Sequence, residues 1–256
     1  MVWNPQQYLK FSGHRLRPAV DLLMRIPDFP VRSVADLGAG AGNVTKLIKE
    51  RWPEAVVVGV EGSAEMVAAG RKAAPGIEWL HQDLGSWRPA QKYDVVYSNA
   101  ALHWVDDHEK ILRGAASVLK SGGRLVVSCG GKGNAQDVFV ALRPEIRLKR
   151  WREFFRKMPT PYFFYAPGDY KKWLPKFGFK IQKLKLAPKD AIYAGAEDFA
   201  TWLRTTWIPY VQRVPENVRD EFIAAVTQRY VARHPPAADG KVHVRMVRLE
   251  IDAVKM

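Results

Sequence analysis

The sequence predicts an α/β fold: a doubly wound, seven-stranded, mostly parallel sheet with a helical cap inserted in the C-terminal half. Three observations predict it. Short apolar β-branched runs such as Val56-Val57-Val58-Gly59-Val60 read as strands buried on both faces. Helical patterns separate successive runs, as right-handed crossovers between parallel strands require. A glycine-rich turn, Gly38-Ala39-Gly40-Ala41-Gly42, joins the first such strand to the first such helix.

Residues 1–30 open with an irregular aromatic arm carrying Trp3, Tyr8, Phe11, Arg15, Arg17 and Pro18. Its aromatics need a surface to cover. A helix over Val20, Leu22, Leu23 and Ile26 follows and is broken by Pro27 and Pro30. Val31 to Leu37 is the first strand, and Val44, Leu47 and Ile48 form the inner face of the next helix. Val56 to Val60 is the second strand and ends at Glu61. Ser63 then caps a helix with Met66 on its first turn. Ile77 to Leu80 is the third strand, followed by Gln82-Asp83-Leu84. Tyr93 to Ser98 is the fourth, followed by Asn99-Ala100-Ala101-Leu102-His103-Trp104. A helix over Asp106 to Leu119 has Ile111, Leu112, Ala115 and Leu119 inside, and Lys120-Ser121-Gly122-Gly123 closes it. Leu125 to Ser128 is the fifth strand.

Beyond Gly133 the pattern changes. Asp137 to Lys157 reads as a basic, aromatic helical region, Thr160 to Pro167 as an extended connector, and Asp169 to Leu174 as a helix. Phe179 to Ala187 is the sixth strand, Glu197 to Val211 and Pro215 to Arg233 are helices, and Lys241 to Val254 is a long final strand. The chain is read as one domain. In it, 1–30 covers the site, 31–133 is the core, 134–178 is a basic helical insert, and 179–256 holds the last strands with a helical cap at 196–235.

Ligands of doubly wound sheets lie across the carboxyl ends of the strands. Asp36, Gly38, Glu61, Asp83 and Asn99 all fall at that edge. A dinucleotide fingerprint would need G-x-G-x-x-G, whereas Asn43 follows Gly42 and the spacing is G-x-G-x-G. Asp36, two positions before the first glycine, suits a cationic ligand better than a pyrophosphate. Glu61, about twenty residues on, suits a pair of ribose hydroxyls. A glycine turn with no ligand is the bland alternative.

The composition bounds the rest. At 256 residues and 47% hydrophobic content the chain can bury a full core. Between Leu142 and Lys189 fourteen Lys or Arg stand against Glu145, Glu153 and Asp169, so this segment carries most of the net charge of +14. Such a field attracts nucleic acid, acidic proteins, headgroups or carboxylated small molecules, or it is a solvated face. No apolar run suits a membrane span and the N-terminus lacks signal-peptide features, so the reading is cytoplasmic. Cys129, the single cysteine, falls in a strand pattern and reads as an inert core thiol. No metal site is expected.

The motif Asp36-Leu37-Gly38-Ala39-Gly40-Ala41-Gly42 resembles that of the Rossmann-like class I S-adenosylmethionine (SAM) methyltransferases. Trp3 to Phe11, Arg17-Pro18-Ala19, Asn99-Ala100 and Trp104-Val105-Asp106-Asp107-His108 narrow the similarity to the trans-aconitate 2-methyltransferase family. Trp202, Pro209-Tyr210, Tyr230 and 235–240 extend it more weakly to the C-terminus. The resemblance implies SAM as cofactor. It also implies that Gly38, Gly40 and the adjacent amides face the methionine part, that Glu61 holds the ribose, that Met66 and Leu84 sandwich adenine while Asp83 accepts from its exocyclic amine, and that Asn99 lies under the sulfonium through its backbone; Asp36, Ala39, Asn43 and Gly62 join them as expected cofactor-binding residues. Tyr8, Phe11, Arg17, Trp104, Trp207 and Tyr210 would surround the acceptor. The chain departs from the family pattern at Ser128-Cys129-Gly130-Gly131-Lys132, where Met-Pro-Asp-Asn is expected, and at Thr206-Trp207-Ile208-Pro209, in place of Gly-Leu-Arg-Pro.

The expected activity is O-methylation of a small anionic, carboxylated acceptor. An ionised carboxylate needs no general base, whereas a hydroxyl, phenol or amine would, and His103 is then the candidate. The alternatives are an acyl-carrier-protein thioester docked on the basic segment, nucleic acid recognised through Lys149 to Lys157, and a SAM-binding regulator without catalysis.

Overall fold

The structure, a computed structural model, describes residues 16–256. By internal contacts the chain divides into two compact units. Of the described residues, the first comprises those up to Lys132 together with 162–187 and 248–256, and the second 133–161 and 188–247. The stretch 134–178, read from the sequence as one insert, is therefore shared between them.

The sheet has seven strands in the order β3-β2-β1-β4-β5-β7-β6. They are β1 (Ser33–Leu37), β2 (Val56–Glu61), β3 (Glu78–His81), β4 (Tyr93–Asn99), β5 (Leu119–Gly130), β6 (Phe179–Tyr193) and β7 (Val242–Lys255). β1 to β5 pair in parallel, and β7 runs antiparallel to β5. Strand order reverses between β1 and β4, so a crevice opens at their carboxyl ends.

In the first unit the apolar runs cover both faces of the sheet. On one face Val34, Val57, Val95 and Val126 cluster with residues of α1 (Arg17–Met24), α2 (Asn43–Arg51) and α3 (Ala64–Ala73). On the other, Ala35, Val58, Val96 and Val127 cluster with α4 (His108–Val118) and α6 (Pro167–Lys176). Alternate strand residues thus reach opposite cores, as a sheet buried on both sides demands. Cys129 is buried in the second cluster, and burial pushes its thiol up to about 12.

Trp79 of β3 fixes where two crossovers can pass. A Cβ on Gly42, Gly59 or Gly70 would stand within 2.6, 2.9 or 2.5 Å of its indole. One large ring fills a slot that three glycines leave.

The second unit packs α5 (Gln136–Glu145), α7 (Ala196–Thr206), α8 (Ile208–Val211) and α9 (Glu216–Arg233). Phe139, Trp207 and Tyr210 meet edge to face, with ring centroids 4.8 Å apart for the first pair and 6.4 Å for Phe139 and Tyr210. Glu145, at the end of α5, is buried. It accepts from Trp151 Nε1 at 3.0 Å, from Arg150 at 3.3 Å, and from Arg229 Nε and Nη2 at 3.1 and 2.9 Å. One carboxylate thus joins α5, the loop after it and α9.

Several elements differ from the sequence reading. Leu119 does not end the inner stripe of α4: its backbone is already extended, and it opens β5 by pairing with Tyr93. Lys120 to Gly123 are therefore an irregular start to β5 and not a helix stop, with a register shift between Tyr93 and Val95 and only Gly122 left-handed. The predicted helix from Glu197 to Val211 is two, interrupted at Trp207, because Pro209 fits a first helical turn but not an interior. The basic region 137–157 is helical only to Glu145 and then in a 3₁₀ turn, Arg152–Phe155. β6 continues past Pro188 to Tyr193, which an edge strand tolerates.

Among the described residues, no helix is long and apolar enough to cross a membrane.

Candidate functional site

β1, β2, β3 and β4 end at Leu37, Glu61, His81 and Asn99 on the same edge, because they are parallel and in register. The glycine loop rises from that edge. Gly38, Gly40 and Gly42 have φ of +77°, +55° and +86°, a region in which side chains are strained. Their surroundings differ. A Cβ on Gly38 would lie 2.1 Å from the Cβ of Ala101, one on Gly42 would meet Trp79, and one on Gly40 would meet no atom of the described residues within 4 Å. Among the described residues Gly40, like Gly62, faces open space.

The loop's amides are spent inside the protein. Gly38 N and Ala39 N donate to Val60 O at 2.8 and 3.1 Å, Gly42 N donates to Ala39 O at 3.0 Å, and Gly40 N donates to Glu61 Oε2 at 2.9 Å. Glu61 Oε1 accepts from Ser63 N at 3.0 Å, and Ser63 Oγ caps α3 by accepting from Met66 N at 3.3 Å. An anion cradle needs free amides. Here four are occupied and two carboxylates flank the turn, which disfavours a phosphate and favours a cation.

Asp36 supplies the second carboxylate. It is buried, and Thr45 Oγ1 donates to it at 2.7 Å. Burial pushes its carboxyl up to about 7; the Thr45 hydrogen bond opposes the rise and the nearby Glu61 adds to it.

Ser98 Oγ donates to Leu37 O at 2.7 Å and ties β4 to β1 beneath the loop. Beyond Asn99, which is half-buried, Ala100 takes φ +58° and its N–H donates to Ser128 O at 2.7 Å. A non-glycine residue held left-handed is a feature of functional edges. A 3₁₀ turn, Leu102–Trp104, follows. His103 Nδ1 accepts from Gly130 N at 3.3 Å, and the His103 carbonyl accepts from Phe163 N at 2.9 Å. Trp104, Tyr162 and Phe164 gather around its ring, with Trp104 and Tyr162 at 4.8 Å and Tyr162 stacked on Phe164 at 5.8 Å. Burial pulls the His103 imidazole down to about 4, and His108 adds to the shift.

Asp36, Gly38, Ala39, Gly40, Glu61, Gly62 and Asn99 meet at one edge. Asn43 is exposed on the first turn of α2. Met66 is exposed, and Asp83 is exposed with Oδ1 accepting from Ser86 N at 3.2 Å. Leu84 is buried, 3.8 Å from where a Gly38 Cβ would stand. Trp104 is exposed beside His103. Trp207 and Tyr210 lie in the second unit. Tyr8 and Phe11 lie outside the described residues, as does the side chain of Arg17, which begins α1.

Four contributors escaped the sequence reading. Thr45 lies on the inner face of α2, where a buried hydroxyl needs a partner. Ala101 packs against Gly38. His108 is buried in α4 with Nε2 donating to Leu102 O at 2.8 Å, and the buried Tyr170 donates its hydroxyl to His108 Nδ1. Their one sequence signal is that a His and a Tyr at apolar positions must satisfy each other.

The chain is similar to known proteins over its whole length. A methyltransferase-domain family matches residues 34–123. The trans-aconitate 2-methyltransferase of Rhodopseudomonas palustris (strain BisB5) is 34% identical over 99% of both chains, and that of Agrobacterium fabrum is 33% identical over 100% of both. The fold is shared with a SAM-dependent methyltransferase from Mesorhizobium loti (20% identity, TM-score 0.55, 95% of this chain and 99% of that one). It is shared also with an O-methyltransferase from a Brevibacillus brevis multienzyme solved with S-adenosylhomocysteine (15% identity, TM-score 0.55, 99% of this chain and 77% of that one). The residues present fit SAM. Gly40 and Gly62 leave room for it, and the buried carboxyl of Asp36 lacks a cation among the described residues.

Proposed function

The chain belongs to the trans-aconitate 2-methyltransferase family and is a SAM-dependent methyltransferase, and from that premise we propose that its acceptor is a small organic acid of the trans-aconitate kind, methylated on a carboxylate oxygen. The observation that supports this most is full-length identity of 31–34% to relatives that carry that name.

When bound, SAM supplies an electrophilic methyl group on a sulfonium. The protein's work is to align the acceptor, exclude water and favour the charges involved. Asp36 offers a carboxylate to the ammonium of the methionine part, and in doing so loses its proton. Glu61 accepts from the ribose hydroxyls while its remaining lone pairs keep the loop amides in place. Gly38 to Gly40 would leave space for the methionine backbone, Asn99 would lie beneath the sulfonium, and Met66, Asp83 and Leu84 would hold the adenine. On the acceptor side, Trp104 provides an apolar wall in the first unit. The carboxylate is already ionised near neutral pH, so no residue has to remove a proton.

The test is to incubate the full chain with SAM and trans-aconitate and look for the monomethyl ester by mass spectrometry, with S-adenosylhomocysteine affinity measured separately by calorimetry. Ester formation is the expected result. Tight S-adenosylhomocysteine binding with no ester from trans-aconitate or related di- and tricarboxylic acids would overturn the acceptor assignment.

A further inference from the structure

His103 stands at the carboxyl end of β4, where a proton acceptor is an obvious role for it. The hydrogen bonds of its ring say otherwise. A backbone amide can only donate, so the bond from Gly130 N occupies the Nδ1 lone pair and leaves the single proton of a neutral imidazole on Nε2. Among the described residues nothing bonds to Nε2. We infer that His103 meets the acceptor as a hydrogen-bond donor through Nε2–H, making it a residue that selects and orients an ionised carboxylate rather than a general base. This rests on the acceptor class proposed above.

Three further observations support it. The ring is neutral: burial, with His108 nearby, takes its pKa down to about 4, so no imidazolium forms near neutral pH. Among the described residues, the titratable groups facing it are His108 and Tyr162, and neither brings a negative charge that would favour a protonated ring.

The turn that carries His103 is held by a second neutral histidine of the same tautomer. His108 Nε2 donates to Leu102 O at 2.8 Å, so its Nδ1 must accept, and the Tyr170 hydroxyl donates there. Tyr165 packs edge-on against that ring at 4.5 Å and donates its hydroxyl to Asp106 O at 2.7 Å.

Finally, Phe163 N is bonded to the His103 carbonyl, and Lys132 N to the Tyr165 carbonyl at 2.9 Å. The connector is therefore tied both to the backbone of the turn that carries His103 and to the chain just past β5. For His103 to take a proton at Nδ1 it would have to abandon Gly130. A hydroxyl, phenol or amine acceptor would find no base here, whereas a carboxylate oxygen finds a donor.

Two readouts test this. Long-range ¹H–¹⁵N NMR of the free, full chain, with His103 assigned by its loss in His103→Gln, should show the Nε2–H form. An Nδ1–H form, or titration near the ordinary histidine value, would overturn the inference. Kinetics with trans-aconitate at saturating SAM form the second arm. The amide nitrogen of Gln reaches the Nε2 position, so His103→Gln should keep KM within about threefold, whereas the shorter Asn of His103→Asn should raise it about tenfold with a smaller change in kcat. The pH profile of kcat/KM should be flat between about pH 6 and 8. A rising limb there that His103→Gln abolishes, with kcat down about a hundredfold or more, would establish a general base instead. If the wild type does not methylate trans-aconitate, the acceptor assignment fails by itself, and the NMR arm still decides the tautomer.

Discussion

Asp36 and Glu145 are both carboxylates sealed from water, one at the carboxyl edge of the sheet and the other in the helical unit, and the protein treats them oppositely. Glu145 receives two guanidinium groups and an indole N–H. Asp36 receives one hydroxyl, too little to offset burial, which pushes its carboxyl up to about 7. A buried charge with full partners belongs to the architecture. A buried acid left short of a cation is a place where a ligand completes the structure.

The strongest way to break that contrast is Asp36→Asn. The amide can still accept from Thr45 but carries no charge, so affinity for S-adenosylhomocysteine should fall about tenfold to a hundredfold, measured by calorimetry. The stability of the free protein should move the other way. Asp36 keeps its proton in the folded state up to about pH 7. Its contribution is therefore full below the unfolded carboxylate value and is lost as pH rises through about 7. Asp36→Asn should be more stable than the wild type by an amount that grows from pH 5 to pH 8, reaching on the order of 3 kcal/mol in urea melts. A variant that is less stable at pH 8 would show that Asp36 is structural after all.

Glu145→Gln is the mirror experiment. It strips the charge from the Arg229 pair and should cost about 2–3 kcal/mol in urea unfolding, with S-adenosylhomocysteine affinity unchanged for the folded protein. Gly40→Ala sharpens the donor side. Among the described residues its Cβ meets no atom, so only the left-handed backbone is penalised, by about 1 kcal/mol, while cofactor binding should weaken about tenfold or more if the methyl enters the space proposed for the ligand. Equal losses in stability and affinity would deny that Gly40 faces the ligand. Ser63→Ala, which removes one N-cap bond of 3.3 Å, should cost at most about 1 kcal/mol in the same melts and leave binding nearly intact.

The same contrast separates what the sequence discloses from what it hides. The strand ends, the glycine loop, Asp36, Glu61 and the Ser63 cap are readable because their signals lie within a few residues of one another. Thr45 reaches Asp36 across nine positions. That is close enough to have been found by asking where its hydroxyl goes. Ala101 against Gly38, Tyr170 on His108 across 62 positions, and Arg229 on Glu145 across 84 exist only once distant segments meet. The early start of β5 has the same origin, since Leu119 leaves the helix to pair with Tyr93. Likewise the tautomer of His103 depends on Gly130, 27 residues away. A histidine motif names a residue; its hydrogen-bond partner decides whether it gives or takes a proton.

Trp79 has a consequence for the history of the chain. Gly42, Gly59 and Gly70 each stand where a methyl group would strike its indole, although only Gly42 belongs to the loop between β1 and α2. The order of change is therefore constrained. While the tryptophan is present, alanine at any of the three disrupts the packing behind the loop; once a smaller residue replaces it, crowding by the indole disappears at all three together. Descent through this family should show the ring and the three glycines kept or lost as a set, with the tryptophan leaving first.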